Sequence, residues 1–224
     1  MKRLFILLLA AISVASITSC GNNGYLADYC DIDDIRDVML INPVSVIETV
    51  SGGDNFTVND SLSQASGALL LQTIMEYNSG LNISHAYIPE EADEKENILN
   101  GVASLYIQVK NSSSTEIGHL TIPTALDNII EQSGNRYGMA VIYTGISRTY
   151  GNYALEWLKG LGKSLLTLGT VTFIPYRHYG EIYIFIIDSE IDSLVWYNHG
   201  DNQGGEHQKS MKAIFKYASR PFRK

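Results

Sequence analysis

Apolar and polar positions alternate along the chain in two distinct rhythms, one of period two and one near 3.6. Val44 to Val50 reads as a strand, closed by the turn Ser51-Gly52-Gly53-Asp54. Asp60-Ser61 can cap a helix on which Ala65, Leu69, Leu70, Ile74 and Met75 recur at helical spacing, ending near Asn78-Ser79-Gly80. Pro89 to Asn97 is acidic and fits either a surface loop or a helix start. Ala103 to Val109 fits either a helix end or a strand. Ala125 to Ile130 predicts a short helix stopped at Gly134. Tyr137 to Gly145 predicts an apolar strand, Tyr153 to Leu168 a helical piece, and Thr170 to Tyr176 another strand. Glu181 to Asp188 is almost wholly apolar, which fits a strand buried on both faces. The polar turn Asp188 to Ser193 leads into the return strand Leu194 to Asn198. His207 to Arg220 closes the chain as an amphipathic helix with Met211, Ile214, Phe215 and Tyr217 at its apolar positions. The expected fold is α/β (α+β): a mixed sheet with helices packed on it, and a C-terminal β-hairpin followed by a closing helix.

The N-terminus follows a different rule. Lys2 and Arg3 precede an apolar run from Leu4 to Ala15, interrupted only by Ser13. Twelve residues are too few to cross ~30 Å of hydrocarbon, which takes about 20. The run therefore reads as a signal peptide. It leads into Ile17-Thr18-Ser19-Cys20-Gly21, which resembles the lipobox of bacterial lipoproteins. That resemblance implies cleavage before Cys20, a diacylglycerol on its thiol and acylation of the new amine, enough for stable attachment to membrane lipid. An ordinary secreted protein with a chance cysteine is the alternative. The resulting division is a signal peptide over 1–19, a lipidated cysteine with flexible Gly/Asn/Asp-rich tether over 20–34, and a single α/β domain over 35–224. Gly21 after the cysteine implies the outer membrane of a Gram-negative cell, with the domain facing the periplasm.

Composition sharpens this. Apolar residues make up 45% and charged residues 18%, a globular balance. Removing Lys2 and Arg3 with the leader takes the net charge from −8 to −10. Such a chain repels phosphate backbones, which argues against nucleic acid as a partner. Cys30 is the only other cysteine. With Cys20 acylated it has no intramolecular partner, so the fold stands without disulfides.

The segment from Ser61 to Ala218 resembles the α/β domain of periplasmic lipoproteins related to the curli-secretion channel family and the TolB N-terminal domain. Ile187-Asp188 and Val195-Trp196 carry the likeness, in a hairpin before a last helix. It implies that Asp188 makes the turn and Trp196 fills core, in a cell-envelope assembly context. Pore formation is not implied, because membrane-crossing β segments are lacking.

Candidate chemistry is sparse. Gly160-Leu161-Gly162-Lys163-Ser164 ends like a phosphate-binding loop, but Trp157 stands where the first glycine is required, so no nucleotide is expected. His199, Asp201, Glu206 and His207 offer metal-ligand chemistry without a third ligand fixed by spacing, and a solvated hairpin-to-helix connection is preferred. Asp188, Glu190 and Asp192 lack the glycine and terminal glutamate of a calcium loop. No Gly-x-Ser-x-Gly elbow occurs. No catalytic residue, metal or cofactor is expected. The fourteen tyrosines suit either interfaces or half-exposed sheet faces. Around Tyr153 to Phe173 the leucines exceed what one helix face needs, so Trp157, Leu158, Leu161 and Leu165 are the expected interface for a protein partner or self-association. The leading expectation is a non-enzymatic protein-binding or assembly accessory. A small-ligand or glycan binder and an envelope hydrolase are the alternatives.

Overall fold

The computed structural model describes residues 24–51, 55–77, 80–113, 115–156, 159, 176–203 and 207–222. The sheet is built outward from β6 (Tyr137–Arg148), whose first seven residues are all buried. Antiparallel β7 (His178–Asp188) lies on one side and carries β8 (Ser193–Asn202) beyond it. On the other side β6 takes two parallel neighbours in succession, β2 (Val38–Ile41) and then β3 (Val44–Ser51). Pro43 lies in the gap between them and has no N–H to give a ladder, so the strand breaks there. Below the break β2 pairs in parallel with the edge strand β5 (Ile83–Tyr87). Above it β3 pairs antiparallel with β4 (Asn55–Val58), all four residues of which are exposed. The hairpin β7–β8 and its closing helix stand as the sequence predicts. β8, however, continues through His199-Gly200-Asp201-Asn202, which reads as loop from composition, because each of those residues pairs with β7.

Helices cover both faces. On one, α1 (Asp60–Glu76) and α4 (Gln208–Ala218) pack over Leu40, Val141, Ile184 and Ile186. α4 buries Met211, Ile214, Phe215 and Ala218, the single stripe its periodicity calls for. α1 starts at Asn59, whose side chain accepts from the Leu62 N–H at 3.0 Å; the cap is one residue earlier than expected. On the opposite face, α2 (Ala92–Asn111) and α3 (Thr124–Ser133) cover Met39, Ala140, Phe185 and Ile187. α2 settles the ambiguous stretch 103–109 as helix, since Val102, Leu105 and Val109 share its buried side. α3 stops at Gly134, at φ 72° in the left-handed region. Trp196 is core, packed edge-on against Phe222 with ring centroids 4.8 Å apart.

The stretch expected to be tether is folded from its middle onward. β1 (Tyr25–Leu26) pairs antiparallel with β8, and the Ala27 N–H donates to Val195 at 2.9 Å. A 3-10 turn over Ile32–Asp34 follows, and Ile35 joins the core. Tyr25 packs so tightly on Gly118 that a Cβ there would lie 2.3 Å from its hydroxyl. Apolar anchors inside a polar sequence, Tyr25, Ala27 and Ile35, explain why composition alone marked the whole segment as linker.

Candidate functional site

Alternation along β7 puts Tyr179, Glu181 and Tyr183 on one face of the sheet. α2 brings Tyr106 and Lys110 down onto them. Glu181 accepts hydrogen bonds from the Tyr179 hydroxyl at 2.6 Å and the Tyr183 hydroxyl at 2.8 Å, and Lys110 Nζ lies 3.4 Å away. The same ammonium sits 5.1 Å above the Tyr183 ring. Tyr106 meets Tyr183 edge-on at 4.9 Å. Tyr183 in turn stacks on His199 of β8 at 5.2 Å and on Phe185, and the Tyr197 hydroxyl lies 3.0 Å from His199 Nδ1. A cavity of about 330 Å³ opens beside the carboxylate, bounded by Glu48, Thr144, Ile146, Tyr106, Tyr179 and Glu181.

The electrostatics follow from this packing. Burial opposes the charge on Glu181, yet the two phenols and Lys110 together hold its carboxyl below the ordinary carboxylate value. Burial, then the hydrogen bond to Glu181, pushes Tyr179 and Tyr183 far up. Burial also raises Tyr197 and lowers His199. The sequence shows these tyrosines only as part of an abundance of fourteen; the signal that could have found the cluster is the period-two spacing of Tyr179, Glu181 and Tyr183.

Two further polar groups lie elsewhere. At the opposite end of β6, Arg136 donates to the fully buried Asp188 at 2.7 Å and 3.0 Å and pairs with Glu190 at 3.2 Å. A cavity of about 520 Å³ adjoins them and reaches Cys30, whose thiol burial pushes up. Asp188 also makes its turn, accepting from the Glu190 N–H at 3.1 Å. Asp192 leaves this group and joins Asp127 and Glu131, whose carboxylates lie within 4.8 Å of one another. Burial, then Asp192 and Glu131, raises Asp127. His199 and His207 are not brought together: His199 stacks on the face under α2, while exposed His207 heads α4 on the other face.

Among the described residues, the upper end of the sheet exposes apolar side chains. Phe56 and Val58 of β4 are exposed, as are Tyr150, Leu155 and Tyr176 on the chain leaving β6 and entering β7. Arg148 holds this end together, donating to buried Asn152 at 2.8 Å, and Asn152 donates to the Ser51 carbonyl at 3.0 Å. Arg177 lies 5.9 Å above the Tyr150 ring. Cys20 and the expected interface residues Trp157, Leu158, Leu161 and Leu165 lie outside the described residues, as does Gly160 to Ser164.

These features define a mixed eight-stranded sheet between two helical layers, with a hydrogen-bonded polar cluster on one face and, among the described residues, exposed apolar side chains at its upper end. No family model and no curated protein matches the chain. Among solved structures, the PelC dodecamer from Paraburkholderia phytofirmans aligns at 8% identity over 89% of this chain and 94% of that chain, with a TM-score of 0.39. The LpoB C-terminal domain from Salmonella enterica aligns at 11% identity over 79% and 87%, with a TM-score of 0.32. The lipoprotein GNA1162 from Neisseria meningitidis aligns at 12% over 76% and 81%, with a TM-score of 0.30. At these values no residue role is carried over from them.

Proposed function

We propose that this chain is a lipid-anchored protein of the cell envelope, held at the outer membrane through Cys20, whose domain works by holding another protein rather than by catalysis. The observation that carries the non-catalytic reading is that Glu181 is engaged by side chains of its own chain, Tyr179, Tyr183 and Lys110. An acid–base group works best with a pKa near the working pH. Here Glu181 and His199 are pushed down and the tyrosines up, and Glu181 is already bonded to groups of its own chain. That is the arrangement of a structural brace. The lipobox-like Ile17-Thr18-Ser19-Cys20 supports the anchor, and the surplus apolar face at Trp157, Leu158, Leu161 and Leu165 supports a protein partner or self-association. Cys20→Ala should release the protein from the membrane fraction and abolish lipid labelling. Crosslinking in intact cells followed by purification should bring down one partner, or this chain as a multimer, with wild type and not with the released variant. Wild-type fractionation by Cys20→Ala refutes the anchor. Recovery of uncrosslinked monomer alone refutes the partner.

A further inference from the structure

The stretch between the expected anchor and the sheet is short, and it joins the sheet at the N-terminal end of β1. Register places Tyr25 opposite Tyr197, Tyr197 opposite Phe185, and Phe185 opposite Ala140. Tyr25 thus enters the sheet level with Ala140. β1 runs antiparallel to β8, so its N-terminal end faces the upper end of the sheet, where β6 finishes at Arg148. From Ala140 to Arg148 is about 26 Å along the strand at roughly 3.3 Å per residue. Cys20 is five residues before Tyr25, a reach of at most about 17 Å. Even fully stretched toward the upper end, the stem stops short of it. A bilayer that holds the lipid on Cys20 and lies at this end of the sheet has its surface at or below the level of that end.

The residues found there suit such a position. Tyr150 is 75% exposed, and Tyr176, Leu155 and Phe56 are each 47% exposed. Register sets Phe56 opposite Val50, and Val50 opposite Arg148, in one row across the sheet. Tyrosine rings with a polar tip, flanked by Arg148 and Arg177, are the side chains that settle at the level of lipid headgroups. The chain as a whole is acidic, so this contact rests on rings and apolar side chains rather than on attraction to anionic lipid.

We propose that the upper end of the sheet, formed by Phe56, Val58, Tyr150, Leu155 and Tyr176, rests in the headgroup region of the same bilayer that holds Cys20. The inference rests on the reading of Cys20 as the lipid anchor. The test uses the full lipidated protein in phosphatidylcholine vesicles, with Cys30→Ser and a single fluorophore on Tyr150→Cys, on Tyr176→Cys, or on Ile191→Cys in the turn at the far end of the hairpin. Lipids carrying a headgroup or shallow-chain quencher should reduce emission from positions 150 and 176 by about twofold or more and leave position 191 unchanged. Equal, weak quenching at all three positions in protein that floats with the vesicles overturns the contact while leaving the anchor intact. So does shielding of 150 and 176 from an aqueous quencher without quenching by lipid, which is the signature of a protein on that surface. Protein that does not float, with an unacylated N-terminal peptide by mass, overturns the anchor and the contact with it.

Discussion

Glu181 keeps its charge in spite of burial because Tyr179, Tyr183 and Lys110 favour it, and that balance sets how the domain responds to acid. Folding holds both Glu181 and His199 below their ordinary values. For each, the unfolded chain takes up a proton more readily than the folded one. The stability they contribute is thus present at neutral pH and lost as pH falls, beginning near 6.5 for His199 and near 4.5 for Glu181. Urea midpoints across this range should fall in two stages. His199→Ala should remove the upper stage and Glu181→Gln the lower; an unchanged acid profile in both variants would sink the assignment. His199→Ala should also cost about 1–2 kcal/mol at neutral pH, since the ring is stacked on Tyr183 and Tyr197. The sequence reads His199 as part of a solvated connection; the structure sets it in β8 opposite Tyr183 of β7, which is why its removal is costly. His207→Ala, at an exposed helix cap without a side-chain bond, should be neutral.

Among the elements, legibility followed the strength of the apolar pattern. β6, β7, the start of β8 and α4 carry long runs or clean stripes, and the sequence shows them directly. β2 is only four residues long and lies just before a break at Pro43, so it reads as a lead-in to β3. β5, Ile-Ser-His-Ala-Tyr, is an edge strand with a polar side, and β4 is wholly exposed, so neither shows a buried run. The Glu181 cluster was illegible for a different reason. Lys110 and Glu181 are 71 positions apart, and only the crossing of α2 over β7 joins them. The same crossings impose a steric limit where α3 meets β6. A Cβ on Gly138 would lie 2.3 Å from the Ile130 side chain. Gly138→Ala should cost about 1–3 kcal/mol by overpacking, and Ile130→Val in the same chain should return part of it. A double variant no more stable than Gly138→Ala alone would show that the strand, rather than the helix contact, sets the requirement.

For the whole molecule, the open question is what covers the apolar surplus between β6 and β7. Trp157→Asp separates the two outcomes. If Trp157 faces a partner, the urea midpoint should stay near wild type while sedimentation shows weaker self-association or crosslinking recovers less partner. If the residue is core, the same change should cost ~3–5 kcal/mol, and the interface reading fails. The sequence pointed to this excursion through composition alone. What it did not show is that the excursion leaves and rejoins the sheet at the end that the N-terminal end of β1 faces, because that depends on the direction of β1, two residues within a stretch that reads as linker.

β1 also has a mechanical side. If Cys20 carries lipid, a pull on it reaches the sheet at the N-terminal end of β1 and, where it is directed along the strand, loads the β1–β8 pair in shear, sharing the force among its bonds. Tyr25 and Leu26, with the Ala27 N–H, the buried Ala27 side chain and the seat of Tyr25 on Gly118, resist it. If they gave way as far as the 3-10 turn at Ile32, the stem would lengthen from five residues to twelve, and its reach from about 17 Å to about 40 Å. With Cys20 as the anchor, the two-residue strand would act as a catch on the leash, fixing how far from the bilayer the domain can work until something draws it away.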